Sequence, residues 1–227
     1  ERSEATGEAV RNTAGPLPLP KIQFCSVMLR QEDRDTAVLV VARGRTLALY
    51  RLPRKEKMEL VWTGSAPSPV SCMAGSGSTL AVACGTRLAA FSLSPSYSLT
   101  TLRSVTMGSS ILSLAWSLSG DRVQCLIVVT RDAVYGFSNF KKNINPIKVF
   151  EIGAWEKNIK SSVVASDNVF VLTNAGNLFS VGVFPDFVSL EETNMREDKV
   201  EDILPGVGGG LLVWREGQLH YWLRTNV

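Results

Sequence analysis

The chain has 227 residues, of which 45% are apolar and 20% charged, a balance that supports a substantial buried core and excludes a disordered polymer. Its 24 basic and 21 acidic residues are spread along the length for a net charge of +3, which excludes a whole-protein field that would draw nucleic acid or an anionic membrane. No apolar run reaches the roughly 18 residues of a bilayer crossing. The four cysteines, Cys25, Cys72, Cys84 and Cys125, sit in or beside apolar runs without the close paired spacing of a zinc site, so they read as buried reduced thiols. With no Asn-x-Ser/Thr acceptor in the chain, this pattern points to an intracellular protein, cytoplasmic or nuclear.

Residues 1–20 open with the polar stretch ERSEATGEAVRNTAG and end in PLPLP, which reads as a flexible tail and a stiff connector. From there five segments share one pattern: VVARGRTLALYRL (40–52), AVACGTRLAAFSL (81–93), IVVTRDAVYGFSN (127–139), VFVLTNAGNLFSV (169–181) and LLVWREGQLHYWL (211–223). In each, a Val- and Leu-rich strand meets a tight turn, and a second strand alternates apolar with small or polar residues, which predicts a β-hairpin. The turns hold Gly44, Gly85, Asp132, Gly176 and Gly217, residues that accept positive φ or bond locally through the side chain.

The first apolar residue after each turn is Leu47, Leu88, Val134, Leu178 and Leu219, at intervals of 41, 46, 44 and 41. A strand-rich repeat of about 40–45 residues is the size of a four-stranded propeller blade, and no segment shows the 3.6-residue period of a helical repeat. Each hairpin has flanking strand candidates. They are 23–29 and 58–64 in the first unit, 68–74 and 98–107 in the second, 111–118 and 146–152 in the third, and 159–166 and 186–192 in the fourth. The fifth opens with 199–204 and stops after its third strand. The expected fold is therefore an all-β propeller of about five blades over 21–227, with blades near 22–64, 68–107, 111–152, 159–192 and 199–227. The missing strand would come from the N-terminal stretch around Ala9, Val10 and Arg11 or from a partner. Six or seven blades follow if the chain is part of a longer one.

The third unit, SLAWSLSGDRVQCLIVVTRDAVYGFS (113–138), resembles the WD-repeat pattern of an inner strand, a Ser-x-Gly-Asp turn and two further strands. The Gly-His and Trp-Asp pairs of that family are missing. Third strands end instead in Tyr50-Arg51, Phe91-Ser92, Phe137-Ser138 and Trp222-Leu223. The likeness is to divergent WD-repeat-like propellers found as subunits of large assemblies. VVARGRTLALYRL is similar to propellers at the N-termini of vesicle-tethering and coat-like subunits. The resemblance implies a scaffold that binds other protein subunits.

Catalytic chemistry finds little footing. The candidate inner strands 23–29, 68–74 and 111–118 lack Asp, Glu, His and Lys, and only Lys160, Glu201 and Asp202 appear in the other two, which gives no ring of paired carboxylates. The single histidine, His220, cannot build a multi-histidine metal site, and there is no G-x-S-x-G nucleophile elbow. GVGGG (206–210) lacks a following Lys-Ser/Thr and leads into a strand, so it reads as an inter-strand loop rather than a phosphate cradle. Asp121 reads as a turn residue. No enzyme activity, cofactor, metal or small-molecule substrate is expected.

Interaction is left to the surface. Arg43, Arg45, Arg51, Arg54, Lys55 and Lys57 gather six positive charges around one hairpin and its loop. They read as a solvated edge, an acidic-protein contact or, as the alternative function, the contact of an RNA-associated propeller. The extension SNFKKNINP (138–146) sets Phe140 beside Lys141 and Lys142, and the segment 184–199 carries Phe187, Glu191 and Glu192 on what reads as a long loop. Trp155 lies between units and is a candidate for exposure, whereas Trp62, Trp116, Trp214 and Trp222 fall in strands and are expected to wedge between sheets.

Overall fold

The computed structural model describes residues 24–31, 34–53, 57–117, 125–138, 146–153, 158–165, 168–182, 192–197, 199–206 and 210–222. These residues form strands and turns with no helix, and no helix is long and apolar enough to cross a membrane. The first sheet comprises β1 (Phe24–Gln31), β2 (Arg34–Arg43), β3 (Thr46–Leu52) and β4 (Glu59–Ser65). The second comprises β5 (Cys72–Ser76), β6 (Thr79–Cys84), β7 (Arg87–Leu93) and β8 (Leu99–Thr106). The third holds β9 (Ile111–Ser117), β10 (Cys125–Thr130), β11 (Ala133–Ser138) and β12 (Ile147–Glu151). The fourth holds β13 (Ile159–Ala165), β14 (Asn168–Thr173), β15 (Leu178–Gly182) and β16 (Glu192–Glu197). The fifth has three strands, β17 (Val200–Pro205), β18 (Leu211–Arg215) and β19 (Gln218–Trp222). Each sheet is an antiparallel meander in chain order.

The hairpins close as their turn residues require. Gly44 (φ 57°) and Gly85 (φ 64°) take positive φ at the first position of two-residue turns, and Glu216 (φ 50°) and Gly217 (φ 73°) take it at both, the type I′ pattern that matches strand twist. Asp132 works by the other route, its carboxylate accepting hydrogen bonds from the hydroxyls of Thr130 and Ser109.

The same turns tie one sheet to the next. The carbonyls of Gly44, Gly85, Arg131 and Gly176 accept hydrogen bonds from the amides of Val70, Ile111, Ile159 and Val200, which lead into or open the following sheet. In consequence β1 lies along β5, β5 along β9, β9 along β13 and β13 along β17. The repeat seen in the sequence is thus also a repeat of backbone linkage.

Four apolar layers fill the spaces between successive sheets. Leu29, Val40 and Leu49 meet Met73 and Val82. Ala81 and Leu88 meet Leu126, Val128 and Phe137. Ile127, Val129 and Val134 meet Val169 and Val171, and Val163, Leu172 and Leu178 meet Ile203, Leu211 and Val213. Because the second and third sheets are covered on both faces, β6 (TLAVAC) and β10 (CLIVVT) are buried at every residue, whereas β3 and β18 alternate between buried and more exposed positions.

Two expectations shift. The second sheet begins at Cys72 rather than 68, because Val70 spends its amide on the Gly44 carbonyl of the preceding hairpin. The described outer strand of the fourth sheet is ETNMRE (192–197), so the segment expected to be a long loop contains β16, and residues 186–191 of the expected strand lie outside the described residues. An outer strand needs less apolar content than an inner one, so ETNMRE carries little apolar signal of its own. Finally, no hydrophobic cluster joins the first sheet to the fifth among the described residues. The stretch around Ala9, Val10 and Arg11, assigned to close the ring, lies outside those residues.

Candidate interaction surface

The basic residues of the first sheet do not converge. Strand alternation places Arg43 on the face of β2 that turns away from the second sheet and Arg51 on the opposite face of the sheet. The Arg45 Nε donates to the Ala66 carbonyl (3.1 Å), clamping the hairpin to the connection that leads to the next sheet. Arg51 donates from Nη2 to Glu59 Oε2 (2.7 Å), and its guanidinium lies 5.9 Å from the Tyr97 ring centroid. The Glu59 charge, foremost, holds its pKa above the ordinary arginine value. Lys57 is exposed. Arg54, Lys55, Phe140, Lys141, Lys142, Trp155, Phe187 and Glu191 lie outside the described residues. Glu192 opens β16, paired with Val181.

The first strands of the sheets carry small polar links. Ser113 and Ser162 join β9 to β13 through their hydroxyls (2.5 Å), and the Lys160 ammonium donates to the Glu201 carbonyl across β13 and β17. Among the described residues no three His, Cys, Asp or Glu side chains are placed to hold one metal ion. None of the four cysteines forms a disulfide; Cys84 and Cys125 are buried and Cys25 and Cys72 half-buried. Desolvation pushes the Cys72 thiol up to about 12. The outer ends of GVGGG are held together by a hydrogen bond from the Gly206 amide to the Gly210 carbonyl (2.9 Å). A Cβ at Gly210 would stand 2.6 Å from the Tyr221 hydroxyl oxygen, so Gly210 answers to close packing by β19.

Two surfaces escaped the sequence reading, and both are apolar. On the first sheet, Met28, Leu39, Tyr50 and Leu60 face one another across all four strands in a single row. That row looks away from the second sheet, and its ends are open to solvent, Met28 at 51% and Leu60 at 52% exposure. On the fifth sheet two rows look away from the fourth, Asp202–Trp214–Leu219 and Leu204–Leu212–Tyr221. Leu219 is 56% and Trp214 40% exposed. Asp202, Leu204, Leu212, Trp214 and Leu219 line a shallow hollow of about 290 Å³. Trp214 therefore does not wedge between two sheets as expected, since the described residues supply a neighbour on only one side of its strand.

A sequence signal for these surfaces exists: VLVVA in β2 and LLVW in β18 are apolar at consecutive positions, the pattern of a strand that meets apolar partners on both faces. In the second and third sheets both partners are present. In the first and fifth, among the described residues, only one is. A scan against protein-family models returns no match, and a search of curated proteins finds no relative.

Proposed function

We propose that the five sheets are blades of a divergent WD-repeat-like β-propeller and that the chain is a non-catalytic scaffold, a subunit that holds other proteins in a multi-component assembly such as a trafficking or tethering complex. The observation that carries this reading is the pair of contiguous apolar faces at the two ends of the sheet series, since solvent-facing apolar patches bordered by charged residues mark interaction sites. Support for the propeller comes from the serial contact of first strands and the repeated turn-to-strand hydrogen bonds. The basic hairpin supports a nucleic-acid role less well, because Arg45 and Arg51 are engaged by Ala66 and by Glu59 and Tyr97.

The test is affinity purification of the tagged chain with and without nuclease. A stoichiometric protein partner retained after nuclease supports the scaffold. Recovery of the bare chain overturns it, and retention of RNA lost steeply with rising salt moves the assignment to the alternative.

A further inference from the structure

The two end faces complement one another, and the geometry points to a second copy of this chain as their occupant. The first-sheet face of one copy packs on the fifth-sheet face of the other, head to tail, and the reciprocal contact closes the pair. This inference rests on the proposed reading that the end faces are interaction surfaces and names a second copy of the chain as what covers them.

Within one chain the two faces belong to the terminal sheets of the series and remain exposed, with Met28, Leu60, Trp214 and Leu219 all open to solvent. Between chains they offer what the four internal layers already use, an apolar sheet face laid on an apolar sheet face. Leu60, Tyr50, Leu39 and Met28 supply one side, and Leu204, Trp214 and Leu219 the other. Arg30, exposed at the margin of the first face in the row next to Met28, meets a surface whose one charged row member is Asp202. The charge at the border is therefore of opposite sign on the two faces. The Glu216–Gly217 turn stands where each earlier hairpin turn holds the next sheet, so the fifth sheet ends in the same arrangement that elsewhere receives a neighbour.

Area selects the closed pair over an open chain. From strand spacing and rise, a four-stranded face covers roughly 400 Å² and a three-stranded one roughly 250 Å². The smaller face limits each contact to roughly 500 Å² counted over both sides, under the ~800 Å² typical of incidental packing, while two reciprocal contacts reach ~1,000 Å², the threshold for a specific interface. Head-to-tail contacts either close into a ring or run on as a filament, and only closure gives both contacts to a pair.

The experiment has two arms on the purified 227-residue chain. In the first, sedimentation over a concentration series follows the chain and the exposed-face variants Leu60→Asp and Leu219→Asp, with circular dichroism to establish that each retains its strand content. A dimer is expected, with association weakened at least tenfold in either variant. A monomer overturns the inference, whether the ring closes on itself, takes residues 1–23 as a further strand or awaits a different protein. A dimer indifferent to both substitutions overturns it as well. In the second arm, chains carrying Leu60→Cys are mixed with chains carrying Leu219→Cys and joined by a bifunctional maleimide. Cross-links between 60 and 219 are expected, and links confined to 60–60 and 219–219 pairs would show like faces meeting and sink the head-to-tail arrangement.

Discussion

A Cβ added to Gly75 would stand 2.6 Å from Leu29 Cδ2, with Val27 Cγ1 closer still. The first strands of the first and second sheets thus approach to a separation that only glycine admits at this position. Gly75→Ala forces Leu29 and Val27 out of the layer they share with Val40 and Leu49, and overpacking of this kind costs about 1–3 kcal/mol. Denaturant unfolding of the variant is expected to show that loss, and Val27→Ala introduced beside it should return part of it. Equal stability of Gly75→Ala and the parent chain would contradict the approach of β1 to β5.

Asp132 couples the third sheet to pH. Burial by itself would raise its carboxyl, but the hydrogen bonds donated by the Ser109 and Thr130 hydroxyls outweigh burial and hold it below the ordinary 3.8. A carboxyl lowered on folding stabilises the native state above its unfolded value, and that contribution is lost as pH falls through the folded one. Asp132→Asn is expected to lower stability at neutral pH and to flatten the decline below about pH 4. Unfolding midpoints measured from neutral to acid pH provide the check, and parallel profiles for the two chains would refute the assignment.

Thiol chemistry should separate Cys72 from an ordinary cysteine. With its pKa pushed up to about 12 by desolvation, a fraction on the order of 10⁻⁴ is thiolate at pH 8, and thiolate is the reactive form. Native chain treated with iodoacetamide is expected to leave Cys72 unmodified while denatured chain reacts at all four cysteines. Cys25, also raised by burial and donating to the Ser71 carbonyl (3.4 Å), should react ahead of Cys72 but behind a free thiol. Peptide mass spectrometry resolves the order.

The turn at Glu216 stores local strain. Its φ of 50° lies in the left-handed region, which a glutamate adopts at a cost of about 1–2 kcal/mol. The contact between Glu216 Oε1 and Lys199 Nζ, 3.6 Å apart and largely exposed, returns little. Glu216→Asn is expected to stabilise the chain by about 0.5–1 kcal/mol, since asparagine tolerates this φ and suits the type I′ turn. Denaturant midpoints of the two chains measure it.

Much of the architecture was legible in short-range pattern. The hairpins, their turn residues and the interval of 41 to 46 residues placed most strands near their observed ends and anticipated a three-stranded last sheet. Those features are local, because a strand's alternation and a turn's φ are set by residues only a few positions apart. The basic cluster was legible as composition but not as geometry. Only the packed chain shows Arg45 held by Ala66 and Arg51 held by Glu59 beside Tyr97. Likewise ETNMRE could be placed as β16 only by its register on β15, since an outer strand bears little apolar signature of its own.

What the sequence determined by itself was that these strands want apolar neighbours on both faces. Only the tertiary structure decided which faces obtain them. Leu126 and Trp214 both sit in strands dense with apolar residues, yet one is fully buried and the other looks outward. The difference is physical: burial preference is written residue by residue, whereas the neighbour that satisfies it arrives from a sheet some forty residues away, and among the described residues the first and fifth sheets each have one such neighbour where the inner sheets have two.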